Sequence, residues 1–386
     1  MHIATTAISL SAACIGHFAI CVWLFNRLHA LGWPRPLVKS LEKALLLVAL
    51  VVLFLTMLFP IVTSPLGRSA IGIGHSLLSV YVTLCWLACL LIIPLWLIPK
   101  LLERTPAALL SNDTTVINIA DRLGFRPMHG KARILAHVPR NQILELAVQQ
   151  KTLRLPNLPE PLDGLRIAHL SDLHMTGQLG PEFYDCVVEE TNALAPDIVV
   201  ITGDILEKEH CLPWIEPTLG RLHARHGKFF ILGNHEQRLR DVASLRRSLT
   251  GAGLIDLGSK TQTLAISGVE VLLAGNERPW FGTAPELSTL NPEPSFRILL
   301  SHTPDNFSWA KSCGFDLMLA GHTHGGQIRL PWLGAIIAPS FHGSRYAGGL
   351  YFEPPTLMHV SRGLAGIHPL RLNCRPELAL FMLKRC

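Results

Sequence analysis

Five short stretches of this chain set aspartate, asparagine or histidine beside small residues. They are Ser171-Asp172-Leu173-His174, Gly203-Asp204, Gly233-Asn234-His235-Glu236, Ser301-His302-Thr303-Pro304-Asp305 and Gly321-His322-Thr323-His324-Gly325-Gly326-Gln327. Together they offer oxygen and imidazole donors and no thiolate, a mix that suits manganese, iron, zinc or a related divalent ion. Asp172 and His174, two apart on a loop, can chelate one ion together. Two metals about 3.5–4 Å apart need a shared anionic ligand, and such a pair clamps the attacking and leaving oxygens of an in-line displacement while activating water. The glycines permit tight turns and close backbone approach beside the donors.

Each stretch follows a short β-rich run: residues 165–170, 198–202, 229–232, 297–300 and 317–320. Helical patterns over 181–195, 214–224 and 239–252 intervene. Strands alternating with helices predict an α/β domain with layered sheets. Ligands of such sheets gather at the carboxyl ends of the strands, so five separate loops are expected to point at one place.

In order, the stretches read D-x-H, G-D, G-N-H-E, H and G-H-x-H across residues 143–386. This resembles the calcineurin-like metallophosphoesterase superfamily. The longer strings LSDLH, ITGD, LGNHE, SHTPD, GHTHGGQI and the terminal VSRGL and PLRLNCRPEL look like its bacterial membrane-associated branch. The resemblance implies a four-layer α/β/β/α sandwich and two divalent metal ions (manganese, iron or zinc). It implies that Asp172, His174 and His324 hold one metal and Asn234, His302 and His322 the other, with Asp204 bridging. His235 is implied as general acid or transition-state stabiliser rather than a ligand.

Other polar residues are given plainer roles. His169, near the end of its strand, is expected to be structural, and Asp305 to cap the helix that follows. Arg345, Arg362 and Arg371 in the C-terminal loops are candidate phosphate contacts, because guanidinium binds phosphate bidentately. The stretch Gly275-Asn276-Glu277-Arg278-Pro279-Trp280 is either a pocket wall or, at Trp280, packing between sheets.

Composition adds a second theme. The chain of 386 residues is 49% hydrophobic and 16% charged, against about 25% charged in ordinary soluble domains. Its mean hydropathy is +0.34. Three apolar runs without a formal charge, 3–25, 44–62 and 77–99, each approach or exceed the roughly 20 residues that cross a bilayer. They predict three transmembrane helices over 1–100, then a juxtamembrane connector over 101–142, read as an amphipathic helix, and a phosphoesterase domain over 143–386. Arg27, Arg35, Lys39 and Lys43 follow the first run, Arg68 alone follows the second, and Lys100 and Arg104 follow the third. The positive-inside rule then places the catalytic domain in the cytoplasm of a bacterial inner membrane.

The nine cysteines form no CxxC pair and no disulfide framework, which fits a reducing compartment. The net charge of +6 contains no long basic run, so no nucleic-acid partner is expected. The expected partners are the lipid bilayer and a phosphorylated, lipid-linked substrate such as an acylated nucleotide sugar; the oligomeric state is not legible. Alternatives are a phosphodiesterase acting on soluble cyclic nucleotides or general diesters, and a non-catalytic membrane scaffold or sensor.

Overall fold

In a computed structural model of the chain, residues 2–58, 73–102, 105–287 and 294–385 are described. They divide into two units, Met1–Arg104 with Phe341–Arg345, and Thr105–Ser340 with Tyr346–Cys386.

The first unit is helical: α1 (His2–Ala30), α2 (Arg35–Met57) and α3 (Ile73–Leu102). Two stretches, Ile8–Ala30 and Ser79–Leu102, are long and apolar enough to cross a membrane, with mean hydropathies of 2.0 and 2.3. The second predicted span is represented only by Ala44–Met57 at the end of α2, whose first turns hold Arg35, Lys39, Glu42 and Lys43. Residues 59–62 of that run, and Arg68, lie outside the described residues. Small residues let α1 and α3 approach closely, as in many membrane helix pairs. A Cβ on Gly16 would lie 1.7 Å from the carbonyl oxygen of Cys85. Polar groups at this contact pair across it: Trp86 donates to the Ser9 carbonyl at 2.9 Å, and His17 Nδ1 lies 2.7 Å from the Tyr81 hydroxyl.

The second unit carries strands β1 (Leu109–Asn118), β2 (Glu145–Leu155), β3 (Arg166–Leu170), β4 (Ile198–Thr202), β5 (Lys228–Ile231) and β6 (Ile255–Asp256). After them come β7 (Thr261–Ile266), β8 (Val269–Asn276), β9 (Phe296–Ser301), β10 (Leu317–Ala320), the hairpin strands β11 (Arg329–Leu330) and β12 (Gly334–Ala335), then β13 (Gly349–Glu353), β14 (Thr356–Val360) and β15 (Glu377–Arg385). One sheet has the order β1-β2-β15-β3-β4-β5-β6 and the other β13-β14-β10-β9-β8-β7. Strands β3 to β6 run parallel, as do β8, β9, β10 and β14. Parallel strands are covered on both faces and so read as continuous apolar runs; Ile198-Val199-Val200-Ile201 of β4 is buried throughout.

Alternate residues of these strands point to opposite faces and build two different cores. Ile167, Val200 and Ile231 meet Leu273, Ile298 and Leu319 between the sheets. On the outer face of the first sheet, Ala168, Val199 and Ile201 pack on Phe183 and Val187 of α4 (Pro181–Ala193) and on Leu245 and Leu249 of α5 (Val242–Gly251). On the outer face of the second, Leu272, Leu299 and Met318 pack on Phe307 and Ala310 of α6 (Phe307–Ser312). The result is the expected four-layer α/β/β/α sandwich. Helix α4 begins with Pro181 after Gly180, and α5 is capped by Asp241, whose carboxylate accepts from Ser244 N at 2.9 Å, both ordinary start signals.

One expectation fails. The segment after Thr105 is not an amphipathic helix: residues 109–118 form β1, which pairs antiparallel with β2. The run Thr114-Thr115-Val116-Ile117 is β-branched throughout, which favours a strand, and polar neighbours leave most of this edge strand exposed.

Candidate dinuclear metal centre

The parallel order leaves the carboxyl ends of β3, β4, β5, β9 and β10 facing one pocket, and each delivers one of the five stretches. Asp172, His174, Asp204, His302 and His322 are buried, while Asn234 and His324 are partly so. Of these seven residues, Asp172, His174, Asp204, His322 and His324 have positive φ, from 43° to 72°. Non-glycine residues rarely adopt this region, and such strain gathers at functional sites. The neighbouring glycines are required by space. A Cβ on Gly233 would lie 2.4 Å from Asp204 Oδ1 and 2.6 Å from the His302 ring.

Among the described residues three donor groups form, His174 with Glu207 and His235 being one, and Asp204 belongs to the other two. In the first, His174 Nε2 lies 3.4 Å from Asp204 Oδ2 and 3.2 Å from His324 Nε2, which is 3.6 Å from Asp172 Oδ1. In the second, His302 Nε2 lies 3.4 Å from Asp204 Oδ1 and 3.1 Å from Asn234 Oδ1, with His322 alongside. His302 Nδ1 is 2.7 Å from the Thr202 carbonyl and donates to it, which aims Nε2 into the pocket.

These residues fit a pair of divalent cations. Asp204 Oδ2 is buried and accepts no hydrogen bond, so that oxygen lacks the partner that burial demands. His302 Nε2 and Asn234 Oδ1 converge beside the Asp204 carboxylate, an arrangement that a cation satisfies. Electrostatics agree. Burial opposes a charge on His302, yet Asp204 and Asp172 push it up to about 9. Burial likewise opposes ionised Asp204, but His235, His302 and His174 hold it well below the usual carboxylate range. The pocket thus favours positive charge where metals would sit.

His235 stands beside the donors, its Nε2 3.9 Å from Asp204 Oδ2. Three residues that the sequence reading passed over complete this side. The Glu207 carboxylate is buried against His235 Nδ1, lies 3.5 Å from His174 Nδ1, and pairs with Arg238. Arg238 in turn brings a guanidinium nitrogen to 3.0 Å from His235 Nε2. Glu236, fully buried, accepts from Gly233 N at 2.7 Å and Leu206 N at 3.0 Å, tying two ligand loops together. Burial and the charge of Asp204 push it up to about 7. Spacing gave a signal for Glu207, which follows Asp204 by three residues; Glu236 sat unused inside its motif.

Trp280 proves to be a wall of the site, with its ring 4.7 Å from that of His322 and 5.3 Å from that of His302. Thr303, not Asp305, accepts the capping hydrogen bond; Asp305 accepts from Ser340 Oγ at 2.6 Å. The three arginines separate. Arg371 is fully buried and donates to the carbonyls of Arg362 and Ala365, so its guanidinium is committed to the C-terminal loop rather than to a phosphate. Arg362 pairs through Nε with Glu377 at 3.2 Å and keeps Nη2 without a hydrogen-bond partner. Arg345 falls in the segment that groups with the helical unit.

A two-sheet sandwich with two oxygen- and imidazole-rich groups sharing one carboxylate defines a dinuclear-metal hydrolase. The model of the calcineurin-like phosphoesterase family matches residues 165–326. Similar proteins include the uncharacterized metallophosphoesterase YkuE of Bacillus subtilis, 33% identical over 61% of this chain and 84% of the relative. Phosphodiesterase YaeI of Escherichia coli is 30% identical over 56% of this chain and 82% of the relative. UDP-2,3-diacylglucosamine pyrophosphatase LpxG of Chlamydia muridarum is 27% identical over 59% and 86%. The chain belongs to the calcineurin-like phosphoesterase family, which is hydrolytic and uses a dinuclear divalent metal centre.

Proposed function

We propose that this chain is a membrane-anchored phosphoesterase that hydrolyses a phosphodiester or pyrophosphate whose apolar part stays in the bilayer. The observation that carries the reading is Asp204, which offers one carboxylate oxygen to each of its two donor groups, in a chain that also has two helices long and apolar enough to span a membrane. Asp172, His174 and His324 would hold one ion and Asn234, His302 and His322 the other, with Asp204 shared. Bound there, two divalent ions supply Lewis acidity and lower the pKa of the attacking water.

The chain's own residues do the rest. Glu207 orients the His235 ring through Nδ1, and Arg238, 3.0 Å from Nε2, joins that ring in stabilising the charge that develops on the leaving oxygen. Trp280 closes one wall against bulk water. Of the three arginines, Arg362, whose Nη2 is buried without a hydrogen-bond partner, and Arg345 remain candidates for the substrate's phosphate. The likeness to a UDP-2,3-diacylglucosamine pyrophosphatase supports an acylated nucleotide sugar as the substrate type. The likeness to a phosphodiesterase supports a second reading, general diester hydrolysis with the anchor serving location only. Lys and Arg between the first two apolar runs and after α3 support a cytoplasmic catalytic unit on a bacterial inner membrane.

The test uses detergent-purified full-length protein, stripped of metal and reconstituted with manganese. Bis-p-nitrophenyl phosphate and UDP-2,3-diacylglucosamine in mixed micelles serve as substrates, with Asp204→Ala beside the wild type. Metal-dependent turnover lost in the variant is expected, with the acylated substrate preferred. Equal turnover by Asp204→Ala would sink the site assignment, and hydrolysis of the soluble diester alone would favour the second reading.

A further inference from the structure

We propose that the hairpin of β11 and β12 docks on the bilayer surface and seats the metal-binding loops at the lipid–water interface. The hairpin leaves the His322–His324 loop directly. Ile328, Leu330 and Trp332 lie two apart, and Leu333 and Ile337 add further apolar side chains; all five are exposed. Trp332 at the turn is 99% exposed and has a φ of 59°. A turn of this conformation ordinarily takes glycine or asparagine, because a side chain there strains the backbone. Tryptophan at this tip thus bears backbone strain and full exposure together, and packs into no core. Indole, apolar in body with one polar N–H, is the side chain enriched at membrane interfaces.

The base of the hairpin is tied to the site. Arg329 N donates to the Leu372 carbonyl at 2.9 Å, Leu372 N to that of Gln327 at 3.1 Å, and Cys374 Sγ to that of His324 at 3.3 Å. A tip held in a fixed place therefore holds His324 in a fixed place.

Charge and continuity select a bilayer as the occupant. Residues 326–345 contain Arg329 and Arg345 and no aspartate or glutamate, which suits an anionic lipid surface. Phe341–Arg345, which begin six residues after β12, belong to the helical unit. There Trp96 donates to Ser344 Oγ at 2.8 Å, and Lys100 Nζ sits 4.2 Å over the Trp96 ring. Trp96 and Lys100 lie at the end of the Ser79–Leu102 stretch, where tryptophan and lysine mark the depth of the headgroups. The inference rests on the membrane-anchoring part of the proposed function and is independent of the substrate.

Full-length protein would be reconstituted in phosphatidylethanolamine–phosphatidylglycerol vesicles, with and without brominated acyl chains. Subtracting the tryptophan emission of Trp332→Phe from that of the wild type isolates Trp332. Its emission is expected to be blue-shifted and quenched by brominated lipid. Trp332→Ser is expected to hydrolyse hexadecyl p-nitrophenyl phosphate held in vesicles about ten-fold more slowly, with bis-p-nitrophenyl phosphate turned over as by the wild type. An unquenched Trp332 with the emission of a hydrated indole would overturn the docking. So would a dimer that Trp332→Ser dissolves without any lipid quenching, since the occupant would then be a second copy. Unchanged hydrolysis of the vesicle-held diester would overturn the seating of the site. Quenching together with hydrolysis of the soluble diester alone supports docking and removes only the lipid-substrate reading.

Discussion

Asp204 is the residue on which the centre turns, since both of its oxygens face donor groups, but its neighbour Glu207 carries the more informative prediction. Glu207 touches two histidines of different purpose, His235 and His174. Carboxylates in that position fix the tautomer and orientation of the ring they hold, and their loss typically lowers activity or metal affinity about 10- to 100-fold. Glu207→Gln is therefore expected to lower kcat on bis-p-nitrophenyl phosphate by that order while two metals remain bound. Steady-state kinetics beside metal analysis of the same preparation checks it; full activity would mean that His235 needs no orienting partner. The motifs named the candidate ligands and offered Trp280 as a pocket wall, whereas the contact of Glu207 with both His235 and His174 became visible only in the fold.

Among the elements, the two sheets are joined by a buried polar chain as well as by apolar side chains. Lys151 of β2 pairs with Glu377 of β15 at 2.8 Å, and His359 of β14 lies 3.4 Å from the same carboxylate. His359 Nδ1 meets His169 Nδ1 of β3 at 3.0 Å, and His169 Nε2 is 2.8 Å from Thr202 Oγ1 of β4. The expectation that His169 is structural fits this placement. Burial, reinforced by Lys151, lowers His359 from 6.5 to about 4. The unfolded chain therefore takes up a proton below about pH 6.5 that the folded chain refuses until about pH 4. Stability from this group is complete above pH 6.5 and lost as pH falls toward 4, by on the order of 3 kcal/mol. His359→Gln, neutral throughout, is expected to show a shallower fall in urea-unfolding stability across that window than the wild type. Equal slopes would mean that His359 is protonated when folded.

At the scale of the whole molecule, the helical and catalytic units pose a question of sides. A cytoplasmic catalytic unit requires the segment after α3 to stay on the side of its positive residues. A cysteine introduced at exposed Ser111 is expected to resist an impermeant thiol reagent in intact cells and to react after the membrane is opened. Labelling in intact cells would reverse the assignment. The edge position of β1 makes Ser111 a suitable reporter, since it is exposed and its hydroxyl donates to Thr152 of β2 at 3.0 Å.

The sequence by itself determined the chemistry and the class of fold, because metal donors are drawn from few residue types and strand–loop spacing repeats with each ligand. It also determined that part of the chain is apolar enough for lipid, since hydropathy needs no tertiary context. Tertiary structure decided what depends on partners distant along the chain. It paired β1 with β2 where a helix was expected, because an edge strand completes a sheet that local propensity cannot see. It removed Arg371 from the candidate phosphate contacts, because three-dimensional burial commits a guanidinium that looks available in a loop sequence. It also showed Trp332 exposed at a strained turn, since exposure and backbone conformation are properties of the fold and not of the residue.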